Sequence, residues 1–161
     1  MELTIDRIWD AETIEALVPH WVFSDGSLRE PFLQEVLHTI LTNPDSIQIL
    51  VARDEDGKLI GSTTSRNPGR YFPFVELSQA WIGYPDYPHL GDRFLSEIIV
   101  WAKGLRKKYI RARTMRDTDA LYRKYRFKTI ASVVKLNLVD DDLFDKVQRR
   151  SLNGRLLRTG C

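Results

Sequence analysis

One stretch of the sequence combines the residue types of an anion-binding site. Residues 72–92 read FPFVELSQAWIGYPDYPHLGD, and an alternating run here leads into a segment rich in turn residues. A helical pattern begins at about Asp92. A strand, a tight loop and the amino end of a helix, in this order, bring unpaired backbone N–H groups and the positive end of the helix dipole together. The sequence therefore predicts an anion site in this loop, and its ligand decides the function.

Other chemistry-bearing residues give weaker signals. The three histidines, His20, His38 and His89, lack the spacing of metal ligands, and no nucleophile is paired with a base. Residues 103–128 contain eleven of the 24 lysines and arginines, against two acids. Such a region binds phosphate or nucleic acid in some proteins. A solvated rim is the favoured interpretation, and nucleic acid is not a favoured partner.

The composition describes one folded domain. The chain has 161 residues, of which 43% are hydrophobic and 29% charged, as in globular proteins. The net charge of +2 gives no global argument for nucleic acid. The single cysteine, Cys161, excludes a disulfide scaffold and favours a reducing compartment. Because the chain lacks a long apolar run and starts with acids where a signal peptide needs bases, we expect a cytoplasmic protein with no membrane partner.

Periodicity predicts the elements that position the loop. Alternating hydrophobicity indicates strands at residues 2–9, 47–53, 59–65, 74–82, 109–115 and 127–138. Helical spacing indicates helices at residues 11–17, 28–41 and 92–105, a short helix after Asp117 and a last helix after Asp140. An Asp-Gly pair at residues 56–57 predicts a hairpin. This order predicts a mixed α/β fold with six to seven strands in one sheet and helices on both faces.

The order of elements resembles the GNAT superfamily of acyl-CoA-dependent N-acyltransferases over residues 2–138. The stretch VELSQAWIGYPDYPHLGDRFL is similar to the family's fourth strand and pyrophosphate loop, whose pattern is Gln/Arg-x-x-Gly-x-Gly/Ala. The stretch ALYRKYRFKTIASVVKL resembles its closing helix and strands, and the hairpin DEDGKLIGS is also similar. The resemblance implies a GNAT-like domain at residues 1–138 and a C-terminal helix with a basic tail at residues 139–161.

The resemblance implies acetyl-CoA as the cofactor, held by the loop and the helix start. A strand backbone N–H near Ile82 would hold the substrate carbonyl. The loop pattern falls on Pro88, Gly91 and Arg93, and only Gly91 matches. Pro88 has no N–H to donate, and Arg93 stands where a small residue is needed, so the loop is degenerate. The residues assigned to the cofactor are Ile82, Gly83, Tyr84, His89, Gly91, Asp92 and Arg93.

The resemblance also implies two catalytic residues. Glu76 would deprotonate the ammonium of the acceptor, directly or through a water, and Tyr122 would protonate the departing thiolate. Each has an ordinary interpretation as well. Glu76 also fits a strand residue facing solvent, and Tyr122 fits an aromatic that anchors a short helix on the sheet.

Two functions stay open. The favoured hypothesis is a diverged, non-catalytic GNAT-fold protein, acting through protein partners or further copies of itself that its C-terminal tail contacts. A bacteriophage virion or assembly protein is one such case, located in the host cytoplasm or the virion. The alternative is an acetyl-CoA-dependent N-acetyltransferase whose acceptor is a small amine or a protein. Binding of CoA distinguishes the two.

Overall fold

The chain divides into two compact units, Met1–Arg116 and Asp117–Cys161. The structure, a computed structural model, describes residues 2–21, 29–83, 89–112, 124–128, 145–146 and 148–150. In the second unit, residues 124–125, 145–146 and 148–150 are helical. The predicted domain boundary after residue 138 lies outside the described residues and stays a prediction.

The first unit contains five strands and three helices among its described residues. The strands are β1 (Thr4–Arg7), β2 (Ile47–Arg53), β3 (Leu59–Arg66), β4 (Phe74–Ile82) and β5 (Tyr109–Ala112). The helices are α1 (Ala11–Leu17), α2 (Arg29–Thr42) and α3 (Leu90–Gly104). Short 3₁₀ turns follow α1 at Val18–His20 and α2 at Pro44–Ser46.

The strands form one mixed sheet in the order β1-β2-β3-β4-β5. The first three pairings are antiparallel, and β4 pairs with β5 in parallel across the α3 crossover. The predicted mixed α/β sheet is confirmed. The described residues give five strands where the sequence predicts six to seven. The predicted strand at residues 127–138 lies almost wholly outside them, whereas the described residues 145–146 and 148–150 of the helix predicted after Asp140 are helical.

The two faces of the sheet carry separate apolar cores because β2 is buried on both sides. Alternate residues of a strand point to opposite faces, so Ile49 packs with α1 and α2 while Leu50 packs beneath α3. On the α3 face, Val75 of β4 meets Phe94 and packs in the same cluster. This packing holds α3 over the central strands of the sheet. The helix follows directly after the loop that the sequence predicts as an anion site. No helix in the described part of the chain is long and apolar enough to span a membrane.

Element boundaries differ from the predictions mainly at chain ends and caps. The helix at residues 11–17 and its Asp10 cap are confirmed, since the Asp10 carboxylate accepts the Thr13 N–H at 2.9 Å. β1 is shorter than predicted. The predicted helix start at Asp92 is wrong, because His89 is the N-cap and α3 begins two residues earlier, at Leu90.

Candidate functional site

A bulge bends β4 in its middle. Thr64 pairs with Gln79 and Ser65 with Leu77, which leaves Ser78 as the extra residue. Bulges of this kind bend a strand and increase its twist. On the other edge, the described pairing with β5 covers Phe74–Leu77, and its last pair contains Ala112, the last residue of β5 that the structure describes. Within residues 89–112, no strand residue pairs with Ser78–Ile82 on that side.

The Ile82 amide is directed away from β3, toward the opposite edge of β4. The Gly83 N–H donates to the Ile60 carbonyl of β3 at 2.8 Å. Because N–H groups alternate in direction along an antiparallel strand, the Ile82 N–H points away from β3. The Ile82 side chain is also exposed. The Ile82 amide is therefore not used in the pairing with β3, whereas the Gly83 amide is, and the predicted role of Ile82 in binding a carbonyl stays a prediction.

The amino end of α3 has no side-chain cap. His89 adopts a left-handed conformation with φ of 75° and caps the helix only through its backbone. The first helical hydrogen bond runs from the Arg93 N–H to the His89 carbonyl at 3.0 Å. The amides of Leu90 and Gly91 precede that bond, and the first amides of a helix lack partners within the helix.

The first turn of α3 also contains the predicted cofactor residues on the helix side of the loop. Gly91, Asp92 and Arg93 lie inside the helix, so only Gly91, which was predicted to precede the helix, is placed differently. Asp92 contacts the His89 ring at 3.2 Å, and both side chains are well exposed. A carboxylate in the first turn is stabilised by the helix dipole. Arg93 is exposed and carries positive charge next to the amides.

Gly61 of β3 allows this end of α3 to lie close to the sheet. A Cβ at Gly61 would lie 3.0 Å from the Trp81 carbonyl oxygen and 3.1 Å from side-chain atoms of Leu90 and Phe94. Any larger residue would have to push backbone or buried side chains aside. The glycine thus sets the distance between the unpaired end of β4 and the helix.

Glu76 is engaged by an arginine. Its carboxylate accepts a hydrogen bond from Arg111, its register partner on β5, at 2.7 Å. The two side chains are 25% and 35% exposed, so the pair is partly shielded from water. Arg66 is the partner of Glu76 on β3, and it binds Glu35 of α2 at 2.7 Å. The ion pair with Arg111 gives Glu76 a structural role. The catalytic role of Glu76 stays a prediction.

An aromatic stack lies on the α1–α2 face of β4. The Trp81 indole stacks on His20, with centroids 3.6 Å apart and an interplanar angle of 10°. A Cβ at Gly83 would lie 2.5 Å from the same indole, so a larger residue there would displace the Trp81 side chain. Sequence analysis missed this stack, because no spacing relates His20 to Trp81. Gly83 thus positions Trp81 and does not offer its amide to a ligand.

Some predicted residues lie outside the described part of the chain. Tyr84 and Pro88 belong to the loop between β4 and α3, and Tyr122 belongs to the second unit. Their proposed roles stay predictions. Among the described residues, no group of three His, Cys, Asp or Glu side chains is arranged to hold a metal ion.

Comparison with known proteins supports the fold. No protein-family profile and no curated protein sequence matches this chain. Among solved structures, it is similar to a predicted acetyltransferase from Clostridium acetobutylicum with acetyl-CoA. The TM-score is 0.65 and the identity 13%, over 86% of this chain and 98% of the other.

Two further solved structures give the same result. One is AAC(6')-Iy in complex with a bisubstrate analogue of CoA, with a TM-score of 0.63 and 11% identity over 85% of this chain and 98% of the other. The second is glucosamine-6-phosphate N-acetyltransferase from Arabidopsis thaliana, with a TM-score of 0.62 and 13% identity over 86% of this chain and 99% of the other. This chain therefore has the GNAT acetyltransferase fold.

Proposed function

We propose that this protein binds acetyl-CoA between the end of β4 and the amino end of α3, and transfers the acetyl group to an amine. One observation carries the proposal. The Ile82 N–H points away from β3 at the end of β4, beside the start of α3, whose N-cap residue His89 makes no side-chain hydrogen bond to the helix. Two structural neighbours of the same fold contain acetyl-CoA or a CoA analogue.

The residues present fit the phosphates of the cofactor. A pyrophosphate needs several N–H donors and positive charge. The amides of Leu90 and Gly91 provide N–H donors at the positive end of the α3 dipole. The exposed Arg93 guanidinium provides positive charge. Arg93 would thus compensate in part for the amide that Pro88 cannot supply.

The chain's own residues would act on the acceptor and on the developing charge. When bound, acetyl-CoA supplies a thioester whose C–S bond breaks as the amine nitrogen bonds to the acetyl carbon. The Ile82 N–H would donate to the acetyl oxygen as negative charge develops there. Glu76 would accept the proton of the amine. By resemblance alone, Tyr122 would donate a proton to the thiolate.

Titration calorimetry with CoA tests the cofactor site on the full chain. We expect saturable binding, and a rise in stability of about 2.7 kcal/mol at a hundredfold excess over Kd. Arg93→Glu should weaken CoA binding at least about tenfold, because a phosphate partner becomes a repulsive charge. Lys103→Glu, the same change in the last turn of α3, is the matched control and should bind CoA normally. Equal loss in both variants, or no heat with CoA, would contradict the proposed site.

An activity assay identifies the acceptor. Release of free thiol from acetyl-CoA can be measured with an aminoglycoside, with glucosamine 6-phosphate and with a peptide that has a free α-amine. The first two represent acceptors named for the structural neighbours. Thiol release that depends on one acceptor would support transfer. Binding of CoA without release for any amine would restrict the proposal to cofactor binding.

The non-catalytic hypothesis is favoured by a different observation. Glu76 is held in an ion pair, and the large Arg93 replaces a small residue of the family pattern. Under this hypothesis, the chain acts through protein contacts of residues 139–161, as in a virion or other assembly. Removing residues 140–161 should then change the oligomeric state seen in light scattering or abolish partner binding. An unchanged oligomeric state together with unchanged partner binding would exclude this role of the tail.

A further inference from the structure

We propose that the carboxyl end of α3 forms a second site, which binds single-stranded nucleic acid. Two segments meet there, Arg70–Phe72 before β4 and Arg106–Lys108 after α3, and we call them together the basic–aromatic patch. They line a cavity of about 350 Å³. The proposal is independent of acetyl transfer.

The patch concentrates positive charge. Its four cations are Arg70, Arg106, Lys107 and Lys108, and among the described residues no acidic side chain lines the cavity. The three ion pairs found in the described part of the chain involve none of them. An anionic polymer therefore meets a compensating field at this surface.

Lys107 holds the two segments of the patch together. Its ammonium donates to the carbonyls of Gly69 and Phe72 at 2.7 and 2.8 Å. The Lys108 N–H adds a bond to the Pro73 carbonyl at 2.7 Å. These bonds fix the loop before β4 against the turn after α3, so the cations and the aromatic rings form one preorganised surface.

The position of Arg106 favours a role outside the fold. The Lys107 N–H bonds to the Ala102 carbonyl at 3.0 Å and the Arg106 N–H to the Lys103 carbonyl at 2.9 Å, which is a Schellman cap. Arg106 occupies its left-handed position with φ of 59°, where glycine is the usual residue. The helix dipole explains cations in this turn. The dipole does not explain why this position, whose left-handed backbone conformation disfavours any side chain, has an arginine and not a glycine.

Exposed aromatic rings select the kind of anion. Tyr71 is 85% exposed and Phe72 48% exposed, beside the cations. The Arg70 guanidinium lies 5.1 Å from the centroid of the Tyr71 ring. Cations that follow a phosphate backbone and aromatic rings on which bases stack are the two components of single-strand binding. An acidic peptide would use only the charges, and a duplex presents no free base faces to the rings.

The patch and the candidate cofactor site are at opposite ends of α3. The helix has 15 residues and so spans about 20 Å at 1.5 Å per residue. The two sites can therefore be occupied and mutated separately.

Fluorescence anisotropy of the full chain with labelled oligothymidylate and oligouridylate tests the proposal. We expect binding at low salt that weakens as salt rises. Arg106→Gly is the decisive variant, because it should raise the melting temperature while weakening oligonucleotide binding. Its slope of log affinity against log salt should become shallower by about 0.7, the loss of one phosphate contact. Tyr71→Ala should weaken binding roughly tenfold through the loss of one stacked base.

Lys58→Gln is the matched control, because it removes one charge from the β2–β3 hairpin at the other end of the sheet. It should leave the affinity and the salt slope unchanged. Titrating Arg106→Gly with CoA should give wild-type affinity, which separates the two sites.

Four results would overturn the proposal. The first is a more stable Arg106→Gly variant that binds the oligonucleotides normally. The second is equal weakening by Lys58→Gln, which would indicate diffuse charge attraction. In the third, a duplex of the same length binds as tightly as the single strand. In the fourth, polyglutamate displaces the oligonucleotides at the same charge concentration, which would assign the patch to acidic proteins.

Discussion

The two ends of α3 differ in how their terminal backbone groups are capped. At the amino end, His89 provides no side-chain cap, and the amides of Leu90 and Gly91 precede the helical hydrogen bonds. At the carboxyl end, the N–H groups of Arg106 and Lys107 close the last carbonyls in a complete cap. The amino end can therefore offer backbone donors to an anion. The carboxyl end can offer only side-chain charge, which makes its recognition dependent on salt.

The packing beneath the two ends differs in the same direction. Gly61 lies under the amino end with no room for a methyl group, whereas nothing lies within 4 Å of a Cβ placed on Gly104. The amino end is held at a set distance from the sheet, as a site made from backbone amides requires. At the carboxyl end, a methyl group can be added at Gly104 without repacking.

Two identical substitutions test this contrast, and the first has the largest expected effect on stability. Gly61→Ala should destabilise the fold by about 1–3 kcal/mol, because its methyl group meets the Trp81 carbonyl and two buried side chains. It should also weaken CoA binding by moving α3. Gly104→Ala should instead stabilise the fold by about 0.5–1 kcal/mol, as expected for replacing a helical glycine in open space. Chemical denaturation measures both.

Equal stability of the two variants would contradict this contrast. The distance between α3 and β3 would then not be fixed by Gly61, and the proposed cofactor site would lose its structural support.

Substitutions at Glu76 and Arg111 distinguish a structural carboxylate from a catalytic one. Glu76→Gln and Arg111→Gln each remove the same half-exposed ion pair, so each should cost about 1 kcal/mol in stability. If Glu76 accepts the amine proton, Glu76→Gln should also lower kcat by about 10²–10⁴-fold, while Arg111→Gln lowers it far less. Steady-state kinetics with melting curves separates the two effects. Equal kcat values for both variants would leave Glu76 with the ion pair alone.

A smaller effect is expected at the capped helix start of α1, which contrasts with the uncapped start of α3. Asp10→Ala should destabilise the protein by about 1 kcal/mol at neutral pH through the loss of the cap. Hydrogen bonds from the Thr13 hydroxyl and N–H lower the pKa of Asp10. A lowered folded-state pKa means that this stabilisation is complete above the ordinary aspartate pKa and is lost as pH falls through the folded value.

Denaturation of wild type and Asp10→Ala at neutral and acidic pH checks this prediction. The difference in the free energy of unfolding should shrink as the pH falls. A difference that grows in acid would show that the Asp10 carboxylate does not act as the charged cap.

Elements governed by local signals were predicted well. The helix at residues 11–17 and the strands at residues 47–53 and 74–82 have the predicted bounds. The Asp-Gly hairpin forms as expected, with Gly57 at φ of 79°. Each of these depends on periodicity, a cap or a turn residue within a few positions. The predicted start of α3 was two residues too late. Aspartate is a common N-cap residue, but Asp92 lies in the first turn, and His89 is the N-cap.

The features of the candidate site that depend on chain topology were not accessible in this way. The Glu76–Arg111 ion pair requires β4 and β5 to be parallel neighbours in one register. The Trp81–His20 stack requires the turn after α1 to reach the far end of β4. The bulge at Ser78 has no sequence signal that we recognised, and it changes the register of β4 against β3.

The sequence by itself determined the order of the elements, the amphipathic faces and the loop before α3, because these follow from residue types close together in the chain. Only the tertiary structure decided which backbone amides remain directed at a ligand and which charges are already paired. Those properties depend on register, on the bulge and on contacts between residues far apart in the sequence. For the same reason, the basic–aromatic patch appears in the sequence as two separate segments and becomes one surface only when these two distant turns meet.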